Sequence, residues 1–130
     1  MEIRLLIVDD AAFIREVLIQ IAKKAKISVV GEAADGEDAL EKALSLKPDI
    51  ILMDIVMPRK SGIQATKDIL AQLPLTKIIA CSTEGQESMV VKALEAGCCD
   101  YIVKPFDVNN VIKILQNTKI AQKPREGING

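Results

Sequence analysis

The sequence predicts an α/β protein, a doubly wound five-stranded parallel sheet with helices on both faces. Three observations carry the prediction. Five short runs rich in Val, Ile and Leu punctuate the chain, segments with helical spacing separate them, and the runs are apolar on successive residues instead of alternating. Alternation marks a strand wetted on one face. An unbroken apolar run marks one buried on both, as in a parallel sheet covered by right-handed helical crossovers.

The first run, IRLLIV, ends at Val8, and its aliphatic content favours a buried strand. Ile14, Val17, Leu18, Ile21 and Ala25 then recur on one face of a helix that keeps Arg15, Lys23 and Lys24 off that face. The second run is ISVVGEA, followed by helical spacing at Ala39, Leu40, Ala43 and Leu44. The third, DIILM, precedes Ile69, Leu70 and Leu73; the fourth, KIIACS, precedes a helix whose core side is expected at Val91 and Leu94. The fifth, DYIV, precedes Val108, Val111, Ile112 and Leu115. Beyond the last helix QKPREGING is rich in Gly, Pro and charge, so residues 1–121 are expected to form one domain and 122–130 a flexible C-terminal tail.

Composition narrows the function. A chain of 130 residues suits one domain, and 49% apolar with 27% charged residues is globular. No apolar run approaches membrane-spanning length, and no basic-then-apolar leader indicates export, so no membrane insertion and a cytoplasmic location are expected. A net charge of −1 with scattered lysines gives no footprint for nucleic acid. Cys81, Cys98 and Cys99 match neither a disulfide framework nor zinc spacing and are expected to be reduced, buried fillers. Histidine is absent, so a metal would be held by oxygen, which favours magnesium or calcium.

All strands of a parallel sheet end at one edge, so the residues after successive runs converge there. The first run is followed by Asp9 and Asp10, the third by Asp54; the fourth ends in Ser82 and Thr83, and the fifth is followed by Lys104 and Pro105. The second ends in nothing comparable, which suggests an edge strand away from the site. Three carboxylates at one edge repel, and a divalent cation resolves the conflict. Magnesium takes one or two carboxylates and accepts phosphate oxygens, so the cluster with Lys104 and a hydroxyl suits phosphoryl chemistry. Taken singly, Asp10 could cap the helix starting near Ala12, Ser82 could be a cap, and Lys104 could be a solvated charge; the combination is what points to a site.

From about Ile3 to Thr118 the chain resembles the receiver domains of two-component response regulators. The resemblance rests on the acidic pair in VDD, the segment LMDIVMPRKSG, the hydroxyl in CSTEG and the segment DYIVKPF. DDAAFIREVL, GEAADGEDAL and CSTEGQESMVVKALEAG are most similar to the stand-alone, CheY-like chemotaxis regulators. The resemblance implies the flavodoxin-like strand order 2-1-3-4-5, of which flavodoxin and CheY are themselves standard instances; the order is expected here because the family has it.

The same resemblance implies that Asp54 is the phosphoacceptor, a nucleophile toward the phosphohistidine of a partner kinase. It implies that Asp10, Asp54 and the carbonyl of Val56 bind magnesium directly, with Asp9 acting mainly through the water shell. Lys104 would neutralise phosphoryl charge, and Ser82 would reach the phosphoryl group after transfer. The Lys104–Pro105 bond is expected to be cis. Tyr101 stands where the family often has a switching aromatic; the lesser alternative is an ordinary half-buried tyrosine. Met89, Val90 and Val91 span about 200° of a helix, so one of them is exposed; the resemblance assigns Val90 to an output face with Tyr101. Thr83 replaces the family's usual small residue, and its bulk is expected to restrict access to Asp54.

The implied function is a phosphorylation-activated response regulator that takes its phosphoryl group from a chemotaxis-type sensor histidine kinase and then binds a flagellar motor switch protein, with a dedicated phosphatase as a possible further partner. It would catalyse only its own phosphorylation and slow hydrolysis. The alternatives are a phosphorelay intermediate and, from a different class, a haloacid-dehalogenase-like phosphatase. The latter expects one residue between its two strand-end aspartates, whereas Asp9 and Asp10 are adjacent.

Overall fold

Each aliphatic run forms a strand and each helically spaced segment a helix in the computed structural model, which describes residues 2–83 and 87–120. The order is β1 (Arg4–Val8), α1 (Ala12–Lys24), β2 (Ser28–Ala33), α2 (Gly36–Leu46), β3 (Ile50–Asp54), α3 (Gly62–Gln72), β4 (Lys77–Thr83), α4 (Glu87–Ala96), β5 (Asp100–Lys104) and α5 (Val108–Asn117). All pairings are parallel, and the sheet order is β2-β1-β3-β4-β5. The tail expected over 122–130 lies outside the described residues.

Successive residues of a strand face opposite sides, so each central strand feeds two cores. Leu5, Ile7, Ile50, Leu52, Ile79 and Cys81 pack under α1 and α5, with Leu18, Ile21, Val111 and Leu115. Leu6, Val8, Ile51, Met53, Ile78 and Ala80 pack under α2, α3 and α4, with Ala39, Ala43, Ala65, Ile69 and Ala93. Removing one of these large side chains, as in Ile51→Ala, costs about 2–5 kcal/mol. β2, the strand with no polar residue of note at its end, is an edge strand and only partly buried.

Packing corrects four core assignments. Val91 is 54% exposed and Leu94 41% exposed, and α4 buries only Ala93, with Met89 at the margin of the core. Met89 and Val91 lie about 200° apart on the helix, so seating Met89 and Ala93 turns Val91 outward. Val108, in the first turn of α5, is likewise exposed, and that helix is seated through Val111 and Leu115. Cys81 and Cys98 are buried free thiols in the two cores; burial pushes Cys98 up to about 11 and Cys81 higher still. Cys99, expected to be buried, is exposed. No described helix is long and apolar enough to cross a membrane.

Candidate functional site

The parallel register delivers the polar residues to one edge. Val8 pairs with Met53, so Asp9 leaves β1 level with the end of β3, where Asp54 pairs with Cys81. On β4 and β5, Ser82 pairs with Val103 and Thr83 with Lys104. From the far strand Lys104 reaches back across the sheet to donate to Asp9 Oδ2 at 2.7 Å, and its Nζ lies 3.5 Å from Asp54 Oδ2. The Lys104–Pro105 peptide bond is cis.

Asp9 is 1% exposed and fully engaged. Its N–H donates to the Ala33 carbonyl at 3.0 Å, and its Oδ1 accepts the Ala11 N–H at 2.9 Å. Arg15 of α1 donates to the Asp9 carbonyl at 2.7 Å and to Glu32 at 3.0 Å, fixing the turn that carries the acidic pair. Asp10 is exposed and does not cap α1, whose N-cap is Ala11 without a side-chain hydrogen bond. The helix-cap alternative for Asp10 therefore fails.

Asp54 is 5% exposed, and its Oδ1 accepts the Val56 N–H at 3.1 Å. Burial pushes its carboxyl up to about 6, with Asp9 and Asp10 adding to the rise and the Val56 N–H and Lys104 opposing it. Burial alone would lower the Lys104 ammonium, but the hydrogen bond to Asp9 and the charges of Asp54 and Asp9 outweigh it and hold the group above its ordinary value.

Asp9, Asp10 and Asp54 offer carboxylate oxygens that all lie within 4.8 Å of one another. Three carboxylates against one ammonium leave an excess of negative charge, and hard oxygen donors so spaced fit a magnesium ion. The Ser82 hydroxyl adds a second sign of an absent polar group: Ser82 is 2% exposed, and its Oγ has no hydrogen-bond partner among the described residues. Buried hydroxyls are normally paired.

The loop between Asp54 and α3 is held from two sides. Gly62 packs so closely on the Asp54 carbonyl that a Cβ there would overlap it, and Ser61 caps α3 by accepting the Gln64 N–H. Further along, Arg59 has φ 65° and forms an ion pair with Asp35, while the Lys60 carbonyl accepts the Gly36 N–H at 3.0 Å. Neither Asp35 nor Arg59 was signalled as a site residue by the sequence. The Asp35–Gly36 step before α2 is a cap signal, but its partner 24 residues away has no local signature.

Of the other residues singled out, Val56 is 50% exposed and Tyr101 44% exposed, and Thr83 is exposed at the end of β4. Val90 is half-buried; the outward apolar residues of α4 are Val91 and Leu94.

Residues 5–116 match the response regulator receiver domain. The chain is 52% identical to the chemotaxis protein CheY of Thermotoga maritima over 86% of its length and 93% of the relative's. It is 45% identical to the CheY of Bacillus subtilis, over 88% and 96% of the two chains. Among solved structures, Vibrio cholerae CheY4 superposes with a TM-score of 0.81 at 30% identity, covering 89% of this chain and 98% of that one. A CheX–CheY–BeF3–Mg complex from Borrelia burgdorferi gives a TM-score of 0.83 at 33% identity, with coverages of 88% and 87%.

Proposed function

The chain belongs to the response regulator receiver domain family and is a chemotaxis-type response regulator; from that premise we propose that Asp54 accepts a phosphoryl group from the phosphohistidine of a chemotaxis-type sensor kinase. One observation carries the reading: a buried carboxylate 3.5 Å from a lysine, with a buried hydroxyl, unpaired among the described residues, near the end of the neighbouring strand. A carboxylate oxygen of Asp54 bonds to phosphorus as the phosphorus–nitrogen bond breaks, giving an acyl phosphate and returning the electron pair to the imidazole. Lys104 neutralises charge on the equatorial phosphoryl oxygens, and the proposed role of Ser82 is to donate its hydroxyl to one of them after transfer.

Asp9, Asp10, Asp54 and the Val56 carbonyl would hold magnesium, which when bound supplies the positive charge that lets a phosphoryl group approach three carboxylates. The CheX–CheY–BeF3–Mg complex of Borrelia burgdorferi supports magnesium and a protein partner for this chain. We assign the phosphorylated form to a flagellar motor switch protein, through Ser82, Tyr101 and the face of α4 that includes Val90, with a dedicated phosphatase ending the signal in the cytoplasm.

Intact mass after incubation with magnesium and acetyl phosphate tests the acceptor. The wild type is expected to gain one phosphoryl adduct and Asp54→Asn none. Equal yield in the two proteins would refute the assignment.

A further inference from the structure

We infer that the Asp35–Arg59 ion pair is a latch that positions the acceptor loop, making both residues positioning residues for magnesium binding and phosphoryl transfer. The inference rests on the proposed role of Asp54 and adds to it two residues remote in sequence.

Three independent features converge on the latch. Asp35 is only 7% exposed yet charged, and it divides its carboxylate: Oδ1 accepts the Asp38 N–H at 2.9 Å as the cap of α2, and Oδ2 accepts the Arg59 guanidinium. Arg59 holds a left-handed backbone, φ 65°, that costs a non-glycine residue energy and persists only where its surroundings impose it. Beside the pair, the Gly36 N–H donates to the Lys60 carbonyl, and a Cβ at Gly36 would overlap that carbonyl, so the two loops are in backbone contact.

The loop so held runs from Asp54 to Ser61 and contains Val56, whose N–H holds Asp54 Oδ1 at 3.1 Å. Val56 itself is half exposed, and it lies between the buried Ile55, whose N–H donates to the Cys81 carbonyl at 3.2 Å, and Met57, packed at the margin of the core. Those neighbours and the Asp54–Gly62 contact hold the near end of the loop, and the latch holds its far end. Helix capping alone does not require the second arm of Asp35, because Oδ1 suffices for that.

The test compares Asp35→Asn, Arg59→Asn and the double variant with wild type. Asp35→Asn keeps an oxygen for the Asp38 N–H, and asparagine tolerates the backbone at position 59, so each removes the ion pair with little else changed. Amide exchange in metal-free protein and magnesium affinity by calorimetry are the readouts. Exchange at the Val56 amide is expected to accelerate, and magnesium affinity to fall about ten-fold in each single variant. The double variant is expected to be no worse than either single, as for one shared interaction. Arg59→Lys is expected to recover part of the affinity.

Unchanged Val56 exchange, magnesium affinity within two-fold of wild type in both single variants, or additive losses in the double would each overturn the latch. Both readouts use unphosphorylated protein, so a failure of Asp54 to accept phosphate would appear in the mass experiment and leave this result standing.

Discussion

The two sides of the acidic edge are built differently. On the β1–β3 side, Asp9 has its N–H, its carbonyl and both carboxylate oxygens engaged, and Asp54 is held by Val56 and faced by Lys104. On the β4 side, Ser82 is buried with no partner among the described residues, Thr83 is exposed, and the helix that follows is seated through a single buried residue, Ala93. By contrast α3 buries four residues and α1 three. Asp9 and Asp54, proposed to hold the cation and to attack phosphorus, are fixed beforehand, as electrostatic preorganisation demands, whereas Asp10 is exposed. Ser82, with the switching role proposed for it, is left with an unused bond beside a lightly packed helix, the kind of element from which moving parts are drawn.

Four substitutions would break or sharpen this contrast. The largest effect is expected for Lys104→Met in metal-free protein. It leaves the Asp9 carboxylate buried without its cation, a loss of about 4 kcal/mol by urea unfolding, while magnesium binds more tightly because the internal counter-charge is gone. A change below about 1 kcal/mol would mean that the acid side is less tightly held than its geometry implies.

Next is Asp54→Asn. The folded carboxyl titrates near 6 against an ordinary 3.8, so between those values the folded state holds a proton that the unfolded state has released. The stabilising contribution is full below about pH 4 and is lost as pH rises through about 6, amounting to about 3 kcal/mol. Asp54→Asn is therefore expected to be more stable than wild type by about that amount at pH 8 and indistinguishable near pH 4. A pH-independent difference would assign the effect to packing instead.

Ser82→Ala is a smaller step. Deleting an unpaired buried hydroxyl is expected to leave stability unchanged or raise it by about 1 kcal/mol. A loss above 1 kcal/mol would show a partner that the geometry does not. Smallest is Val91→Thr, expected within about 0.5 kcal/mol of wild type because the side chain is 54% exposed.

The aliphatic runs carried the fold legibly. Ile50, Ile51, Leu52 and Met53 are all fully buried because a central parallel strand is covered on both faces, and a run without alternation says so. The convergence of Asp9, Asp54, Ser82 and Lys104 on one edge was equally readable, since parallel strands share an end. What the sequence did not carry depends on how elements are seated. Val91 and Ala93 are both apolar, and only the close approach of α4 decides that the alanine faces inward. Asp9 and Asp10 are chemically identical neighbours, distinguished by the turn that buries one under Lys104 and exposes the other. Asp35 and Arg59 belong to loops after different strands, so their pairing exists only once the sheet brings those loops together.

The spacing of the acids has a further implication. Asp9 and Asp54 stand on hydrogen-bonded neighbours, so the gap between them is inherited from the distance between paired strands, about 4.8 Å. The sheet acts as a ruler. The pairing of β1 with β2 contains an irregularity between Leu5 and Leu6, whereas the pairing of β1 with β3 runs unbroken to the acidic edge. Substituting side chains can change which atoms line the gap, but its width is written in the backbone, and resizing it for a larger ion would require re-registering the sheet itself.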